Sequence, residues 1–477
     1  MKFIDELLRE LPEDIVLIGE ENTRPYECDA LTIYRQKPLA IVLPRNVEQI
    51  KYVLKICKDN KIPIVTRGAG TGLSGGALPL EGCVVLGLSK MDKIHSIDPK
   101  RAVATVDPGV RNLAISEAVE SHGLYFAPDP SSQIACTIGG NIAENAGGVH
   151  CLKYGLTVNN IQSITMLTLD GQEYKLSRED KGLGLLALMN GSEGLLGVIT
   201  QVEVKLMKKP IFAKLIMAGF DSVADCANAV TLIIKSGIIP AGLEMMDSFA
   251  IQASEEFTHA GYPVDARALL LCELDGDKEQ VEIEINQIKE LLSNASTLKV
   301  SADEAERLLL WKGRKSAFPA VGKLSPDYYC IDGTIPKRHL ASVLEQISKW
   351  SDQYKLRVAN VFHAGDGNLH PLILYDASVE GEVEKTEAFG LEILKLCVEV
   401  GGTITGEHGV GIEKLDGMCH QYNDQELSVF HQIKKVFDPD ELLNPGKAIP
   451  VLHRCVELGR KMHPHNGNLP QPELENI

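Results

Sequence analysis

Two histidines flank a short glycine-rich turn in "HAGDGNLH", residues 363–370. If Gly365-Asp366-Gly367-Asn368 is the turn of a hairpin, His363 faces His370 and both imidazoles leave the same face of the sheet. Directly opposed Cβ atoms lie about 4.5 to 5.5 Å apart, close enough for two rings to hold one metal ion. Gly and Asn supply the positive-φ positions of such a turn. Two imidazoles are an incomplete site, and "TGEHGVG", residues 405–411, adds Glu407 and His408 between glycines that permit close approach. Two imidazoles with a carboxylate suit a borderline divalent ion such as Zn, Mn, Fe or Co, with positions left for substrate. In an extended segment neighbouring Glu407 and His408 point opposite ways, which leaves one of them for another task. A lone strand histidine more commonly packs or hydrogen-bonds. An opposed pair that would repel if protonated favours ligation.

A second chemistry is written in glycine. "RGAGTGLSGGALPL", residues 67–80, contains Gly70-Thr71-Gly72-Leu73-Ser74-Gly75, a letter-for-letter G-x-G-x-x-G. A dinucleotide fold needs that loop to open a helix, and here Pro79 and the strand-like "CVVLGL" arrive too soon. What remains is an anion nest, because consecutive glycines let backbone N–H groups crowd a phosphate without Cβ interference. "PDPSSQIACTIGGNIAENAGGVHCLKYG", residues 128–155, and "GSEGLLGVIT", residues 191–200, are two further clusters. Three such clusters after β-like runs imply one extended ligand.

Rigid elements must hold these groups. A chain of 477 residues exceeds what one core serves, so two or three domains are expected. With 44% hydrophobic and 24% charged residues the chain is globular rather than disordered. From Pro38, "LAIVLP", a helical period through Val47, Ile50, Val53, Leu54 and Cys57, and "KIPIVTRG" read as β-α-β. "AVATVDPG" follows, then a helix through Leu113, Ile115, Ala118 and Val119. Basic, turn-prone "KKP" at 208–210 marks a boundary. Beyond it the strands "IFAKLIMAGF", "ALLLCELDG" and "DYYCIDGTIP" alternate with amphipathic "DKEQVEIEINQIKELLSNA" and "KRHLASVLEQISKWSDQY", giving a sandwich of sheet and helices. The expected division is a helical segment over 1–37, a cofactor domain over 38–209, a substrate and metal domain over 210–450, and a tail over 451–477 that is extended or loose.

The net charge of −17 disfavours nucleic acid or anionic lipid as the main partner. No apolar run reaches membrane-spanning length, and the acidic start lacks a signal-peptide core. The 11 cysteines are scattered, with no Cys-x-x-Cys pair, so neither a disulfide framework nor an iron-sulfur site is expected. A reduced, cytoplasmic compartment is the expectation.

Nearly end to end, the motifs "RGAGTGLSGGALPL", "PDPSSQIACTIGGN", "NAGGVHCLKYG" and "NVFHAGDGN" resemble vanillyl-alcohol-oxidase-type FAD-linked oxidases. The similarity is strongest to the branch that holds glycolate oxidase D subunits with D-lactate and D-2-hydroxyglutarate dehydrogenases. The resemblance implies an α+β protein: a two-part FAD-binding domain of the vanillyl-alcohol oxidase (PCMH) type, followed by an α+β substrate or cap domain with an antiparallel sheet. It implies pyrophosphate contacts from Arg67, Gly68, Ala69, Gly70, Thr71, Gly72 and Leu73. Flavin and adenine contacts would come from Pro128, Asp129, Ser132, Gly139, Gly140, Asn141, Asn145, Gly147, Gly148 and Gly155, with Gly197, Val198 and Ile199. Asn444 in "LLNPGKAI" would return to the flavin, although Asn-Pro-Gly also reads as a helix-stopping turn. Thr71 stands where some members attach FAD through histidine, so FAD would be noncovalent.

The same resemblance assigns His363, His370 and Glu407 to one divalent ion (Zn, Mn or Fe) and His408 to the base. A 2-hydroxy acid's hydroxyl pKa lies far above an unperturbed imidazole's, about 6.5. A metal can lower the pKa of bound water from about 15.7 to about 7, roughly 12 kcal/mol, and similar help to an alkoxide closes the gap. His408 then takes the proton while hydride passes to flavin N5 across roughly 3 to 3.5 Å. Arg314, in "WKGRKSAFPAVGKLSPDYYC" where a helix gives way at Pro319, has the planar fork a substrate carboxylate needs. Neutral Cys330, where relatives that take a dicarboxylate carry a basic group, favours glycolate or D-lactate. Electrons would leave through a second flavoprotein-like subunit and an iron-sulfur subunit, the only route to the inner membrane. The competing reading is a metal-dependent hydrolase, which leaves the three glycine clusters without a purpose.

Overall fold

The computed structural model describes residues 2–451. The tail "HPHNGNLPQPELENI", expected to be extended or loose, lies outside the described residues. The chain folds as two units, one of Met1–Ala146, Leu156–Lys208 and Glu407 onward, the other of Gly147–Gly155 and Lys209–Gly406. No helix among the described residues is long and apolar enough to cross a membrane. Among the described residues nine cysteines are free thiols and Cys419 is disulfide-bonded.

The first unit begins with strands β1 (Val16–Leu17), β2 (Ala40–Val42), β3 (Ile64–Arg67) and β4 (Val84–Gly87), in sheet order β1-β2-β4-β3. The β-α-β pattern is realised: β2 and β3 both run parallel to β4 and are joined by the helix Val47–Asp59. Asn46 caps that helix by accepting from the Gln49 amide, and its apolar period buries Ile50, Val53, Leu54 and Cys57. The chain passes from β3 to β4 through the glycine-rich loop without an intervening helix, which removes the Rossmann reading on structural grounds. A second, antiparallel sheet follows, formed by β5 (Ile94–Asp98), β6 (Val103–Val106), β8 (Ile161–Leu167), β9 (Glu173–Ser177) and β10 (Val198–Lys205), in order β5-β6-β10-β8-β9. Short β7 (Leu124–Tyr125) pairs with β11 (Met207–Lys208).

The second unit is built on one sheet of seven strands: β12 (Phe212–Phe220), β13 (Gly242–Asp247), β14 (Ala268–Gly276), β15 (Thr297–Val300), β16 (Asp327–Cys330), β18 (Val358–Phe362) and β20 (Pro371–Tyr375). The order is β15-β12-β14-β13-β18-β20-β16 and the pairings are antiparallel. Short β17 (Gly333–Thr334) and β19 (Asn368–Leu369) pair beside it. Met246, Leu269, Leu271, Val361, Leu372 and Leu374 form the apolar face that packs against the helices Ser248–Thr258 and Glu304–Lys315. Leu270, Cys272 and Leu274 alternate to the other face, which accounts for the near-continuous apolar run of β14. Pro319 does not end the helical stretch as expected. It sits in the first turn of a further helix, Ala317–Val321, where a missing N–H costs nothing.

Candidate functional site

The two histidines share a face, but not as directly opposed residues. Pairs Ala359↔Leu372 and Asn360↔Pro371 set a register that continues to the bridge His363↔Asn368. His370 therefore stands across from Val361, and the turn spans Ala364–Gly367, with the Gly367 amide donating to His363 O at 3.0 Å. The expected turn was displaced by one residue because Asn368 is drawn into pairing with Thr334. The displacement makes the histidines diagonal neighbours on one face. Their ring centroids are 5.1 Å apart at 83°, and they offer ligand nitrogens within 4.8 Å of one another.

What surrounds them explains their orientation. The β13–β18 register Met245↔Phe362 carries Glu244 opposite His363, and Glu244 Oε1 lies 2.7 Å from His363 Nδ1. A carboxylate on Nδ1 is the arrangement common behind metal-bound histidines that ligate through Nε2. The other Glu244 oxygen lies 2.6 Å from Arg314 on the helix Glu304–Lys315, both side chains being 2% exposed or less. Burial works against ionisation of Glu244, but the His363 and Arg314 charges prevail and hold its carboxyl below the usual range. Arg314 Nε has no hydrogen-bond partner among the described residues, so its fork retains a donor. On the other side, buried Asp332 lies 3.6 Å from His370 Nε2 and accepts from Thr405 Oγ1 at 2.6 Å and the Gly406 amide at 3.1 Å. Gly406 ends this unit, and the chain continues directly into Glu407 and His408 of the first. Two imidazoles, one with Glu244 on its Nδ1 and the other with buried Asp332 3.6 Å from its Nε2, fit a divalent ion in donor chemistry.

In the first unit the first and third glycine clusters converge with the part of the second that precedes Gly147. Gly68 must be glycine because a Cβ there would meet Thr137 Oγ1 at 2.3 Å. That contact sets the half-exposed loop Gly68, Gly70, Thr71, Gly72 and Leu73, with exposed Ala69, beside the start of the helix Ile138–Glu144, where Gly139 and Gly140 are half-exposed. Two N–H-rich segments brought so close form the cradle a pyrophosphate requires, so the loop fits FAD. The third cluster joins through the Gly191 amide on Ile142 O at 2.8 Å and the Glu193 amide on Ala143 O at 2.9 Å. Asn444 Nδ2 ties the first and third clusters by donating to Gly76 O at 3.0 Å and Glu193 O at 2.8 Å.

Several residues predicted to contact the cofactor also carry hydrogen bonds or packing within the fold. Arg67 donates to Cys28 O at 2.7 Å, holding the loop from behind. Asn141 accepts from Asn112, whose amide also holds Pro128 O, each at 3.0 Å. Asn145 accepts from the Val158 amide, and Gly197 lies against β8, as its Cβ would meet Leu167 O at 2.8 Å. Val198 and Ile199 are buried in β10, whereas Asp129 and Ser132 are half-exposed. Gly147, Gly148 and Gly155 belong to the second unit, where Lys153 and Tyr154 bind Asp275 at 2.5 and 2.6 Å. Sequence reasoning missed Glu244, Asp332 and Glu193. The signal for Glu244 was a single acid within the apolar strand "GLEMMD", where an unmatched charge would be costly.

Half-buried Glu144 and buried Glu193, Lys414 and Lys447 form a cluster of ionisable groups behind the glycine loop. Burial, and then the Glu193 charge, push the Glu144 carboxyl well above its usual range, while burial pushes the Lys447 ammonium down to about 8. A carboxyl raised in this way holds a proton in the fold that the unfolded chain releases. Its stabilising contribution is complete below about 4.5 and is lost as pH rises through the folded value. Glu144→Gln needs no proton. It is expected to melt at a higher temperature than the parent at neutral pH, with the gap closing toward pH 4.5, as thermal denaturation across that range will read.

Comparison with known proteins accords with this geometry. Residues 209–448 match the family "FAD linked oxidases, C-terminal domain" and residues 38–177 match "FAD binding domain". The chain is 58% identical to glycolate oxidase subunit GlcD of Escherichia coli (strain K12), covering 97% of this chain and 93% of that protein. It is 38% identical to GlcD of Bacillus subtilis (strain 168), over 88% and 91% of the two chains. It is 32% identical to D-lactate dehydrogenase of Anaerostipes hadrus, over 93% and 96%. Among solved structures, p-cresol methylhydroxylase superimposes with a TM-score of 0.79 at 19% identity, over 95% and 97% of the two chains. The fold is thus a PCMH-type FAD-binding domain followed by an α+β C-terminal domain with an antiparallel sheet. Glycine clusters meeting in one unit, histidines set against buried carboxylates in the other, and these matches over nearly the whole length lead to one assignment: the chain is a member of the FAD-linked oxidases, in the glycolate oxidase and D-lactate dehydrogenase branch.

Proposed function

We propose that the chain oxidises a short 2-hydroxy monocarboxylate, glycolate or D-lactate, to the 2-oxo acid, with noncovalent FAD and one divalent ion. The names of its relatives support the substrate class. The observation that carries the site is the His363–His370 pair with Glu244 on its outer nitrogen. When bound, FAD supplies a two-electron acceptor and a Zn, Mn or Fe ion supplies positive charge that acidifies a hydroxyl. His363, His370 and Glu407 hold that ion, Glu407 being the residue after Gly406, whose amide is fixed by Asp332. The His408 imidazole accepts the hydroxyl proton. Arg314 presents its remaining donors to the substrate carboxylate, its charge partly matched by Glu244. Buried, neutral Cys330 leaves a second carboxylate without a cation at that position. Electrons then leave to a second flavoprotein-like subunit and an iron-sulfur subunit, in keeping with the designation of relatives as subunits. A metal hydrolase would have no use for three converging glycine clusters.

The test is anaerobic mixing with glycolate, D-lactate, L-lactate and D-2-hydroxyglutarate while flavin absorbance is followed. Glycolate or D-lactate should bleach the flavin and the dicarboxylate should not. FAD should appear in the supernatant after denaturation. Chelation should slow bleaching about 100-fold, and added Mn or Zn should restore it. A colourless protein, or one that no 2-hydroxy acid bleaches, defeats the reading.

A further inference from the structure

Glu193 does something that a glycine-cluster residue lining a cofactor would not. Its side chain is 6% exposed, and its backbone has a φ of 49°, a left-handed value that a residue other than glycine holds only when its surroundings enforce it. Here the enforcement is visible in the Glu193 amide on Ala143 O at 2.9 Å and the Glu193 carbonyl under Asn444 Nδ2 at 2.8 Å. The side chain then reaches a distant segment. Oε1 accepts from the Val410 amide at 2.7 Å and Oε2 from the Gly411 amide at 2.6 Å. Two successive amides converging on one anion form a nest, and such a backbone needs a positive φ, which Gly411 supplies at 52°.

The rest of that segment is equally fixed. Lys414 Nζ donates to Gly409 O at 2.8 Å, and the Ile412 amide to Ser74 O of the glycine-rich loop at 3.0 Å. No side chain fits at Gly409, where a Cβ would lie 2.2 Å from Glu144 Oε2, or at Gly411, where it would lie 2.0 Å from Ser74 O. Gly409 is the residue after His408. The anchor of the segment bearing His408 is thus a carboxylate from the third glycine cluster, and the same segment hangs on the first.

We propose that Glu193 is a positioning residue that fixes His408 for proton abstraction by holding the Val410–Gly411 nest. The inference rests on the functional reading above, in which His408 is the base. Glu193→Gln offers one acceptor where two are needed and turns an NH2 group against a backbone N–H. Glu193→Asp keeps the charge but not the reach.

The experiment is anaerobic stopped-flow bleaching of the FAD-loaded full chain by glycolate or D-lactate, for the parent, Glu193→Gln, Glu193→Asp, His408→Ala and the Glu193→Gln/His408→Ala double variant. Glu193→Gln should lower the limiting rate about 100-fold, as expected for a misplaced reacting group, with half-saturating substrate and flavin content unchanged. In the His408→Ala background the same change should cost less than about 2-fold, because a residue acting through the base has nothing left to act on. The proposal is overturned by a parent-like rate in Glu193→Gln, by an equal loss in both backgrounds, or by loss of flavin from both Glu193 variants. A parent protein that no 2-hydroxy acid bleaches defeats the functional reading instead.

Discussion

FAD-loaded protein carrying His408→Ala is expected to reduce its flavin about 1000-fold more slowly than the parent with glycolate or D-lactate at saturation, within the range a positioned general base contributes. The chemistry demands a base because the substrate hydroxyl holds its proton far more tightly than an imidazole does, and hydride departure from carbon is easy only as that proton leaves. Substrate affinity should change little, since the proposed anchor of the carboxylate is Arg314 and not His408. Flavin content should also persist. The segment after His408 is fixed by its backbone, through Gly411, Ile412 and Gly409, to Glu193, Ser74 and Lys414, and none of those bonds uses the imidazole. A drop in limiting rate without a change in half-saturation, recovered in part by added imidazole, is the signature of a missing base. An unchanged rate would remove His408 from the reaction and leave the histidine pair without its partner in catalysis.

How far the sequence could lead is clear from particular residues. "IFAKLIMAGF" and "ALLLCELDG" were legible as strands because their apolar runs have strand length, and they pair over the full span Phe212↔Gly276 to Phe220↔Ala268. The likeness of faces for His363 and His370 was also legible, since any even displacement along a strand preserves the face. Their exact opposition was not. Asn368 has turn chemistry in isolation, but Thr334 offers it a strand partner, and Gly367 at a φ of 87° takes the left-handed position instead. Local composition cannot weigh a partner that arrives from elsewhere in the chain. Glu244 and Glu193 were hidden for the same reason. Each means little among its neighbours, and each gains its role across a long separation: Glu244 from a strand register that brings His363 opposite, Glu193 from a nest in another segment. "GGVHCLKYG" was read through its glycines, and nothing local in it announced that Lys153 and Tyr154 bind it to β14 of the second unit.

Glu244→Ala should produce two separable losses, one in stability and one in metal affinity. The stability loss follows from Arg314. Its guanidinium is almost wholly buried against Glu244 at 2.6 Å, and removing one member of a buried ion pair strands the other, at a cost of about 3 to 5 kcal/mol. The metal loss follows from the proposed role of His363 as a ligand. Its Nδ1 is held at 2.7 Å by Glu244 Oε1, and losing the group behind a ligating histidine typically weakens metal binding about 10- to 100-fold. Glu244→Gln separates the two. Its carbonyl oxygen can still accept from Nδ1–H and keep Nε2 presented, so metal affinity should stay within about 10-fold of the parent. It brings no charge, so Arg314 remains uncompensated and the stability loss should persist. Titration of chelator-treated protein with Mn or Zn, alongside thermal unfolding of the same samples, measures both quantities without relying on turnover. If the alanine variant binds metal as tightly as the parent, the Glu244–His363 bond does not orient a ligand and the pair owes its geometry to the strand register alone. If the glutamine variant recovers stability together with metal affinity, Arg314 has found its countercharge elsewhere, and Glu244 serves only the histidine.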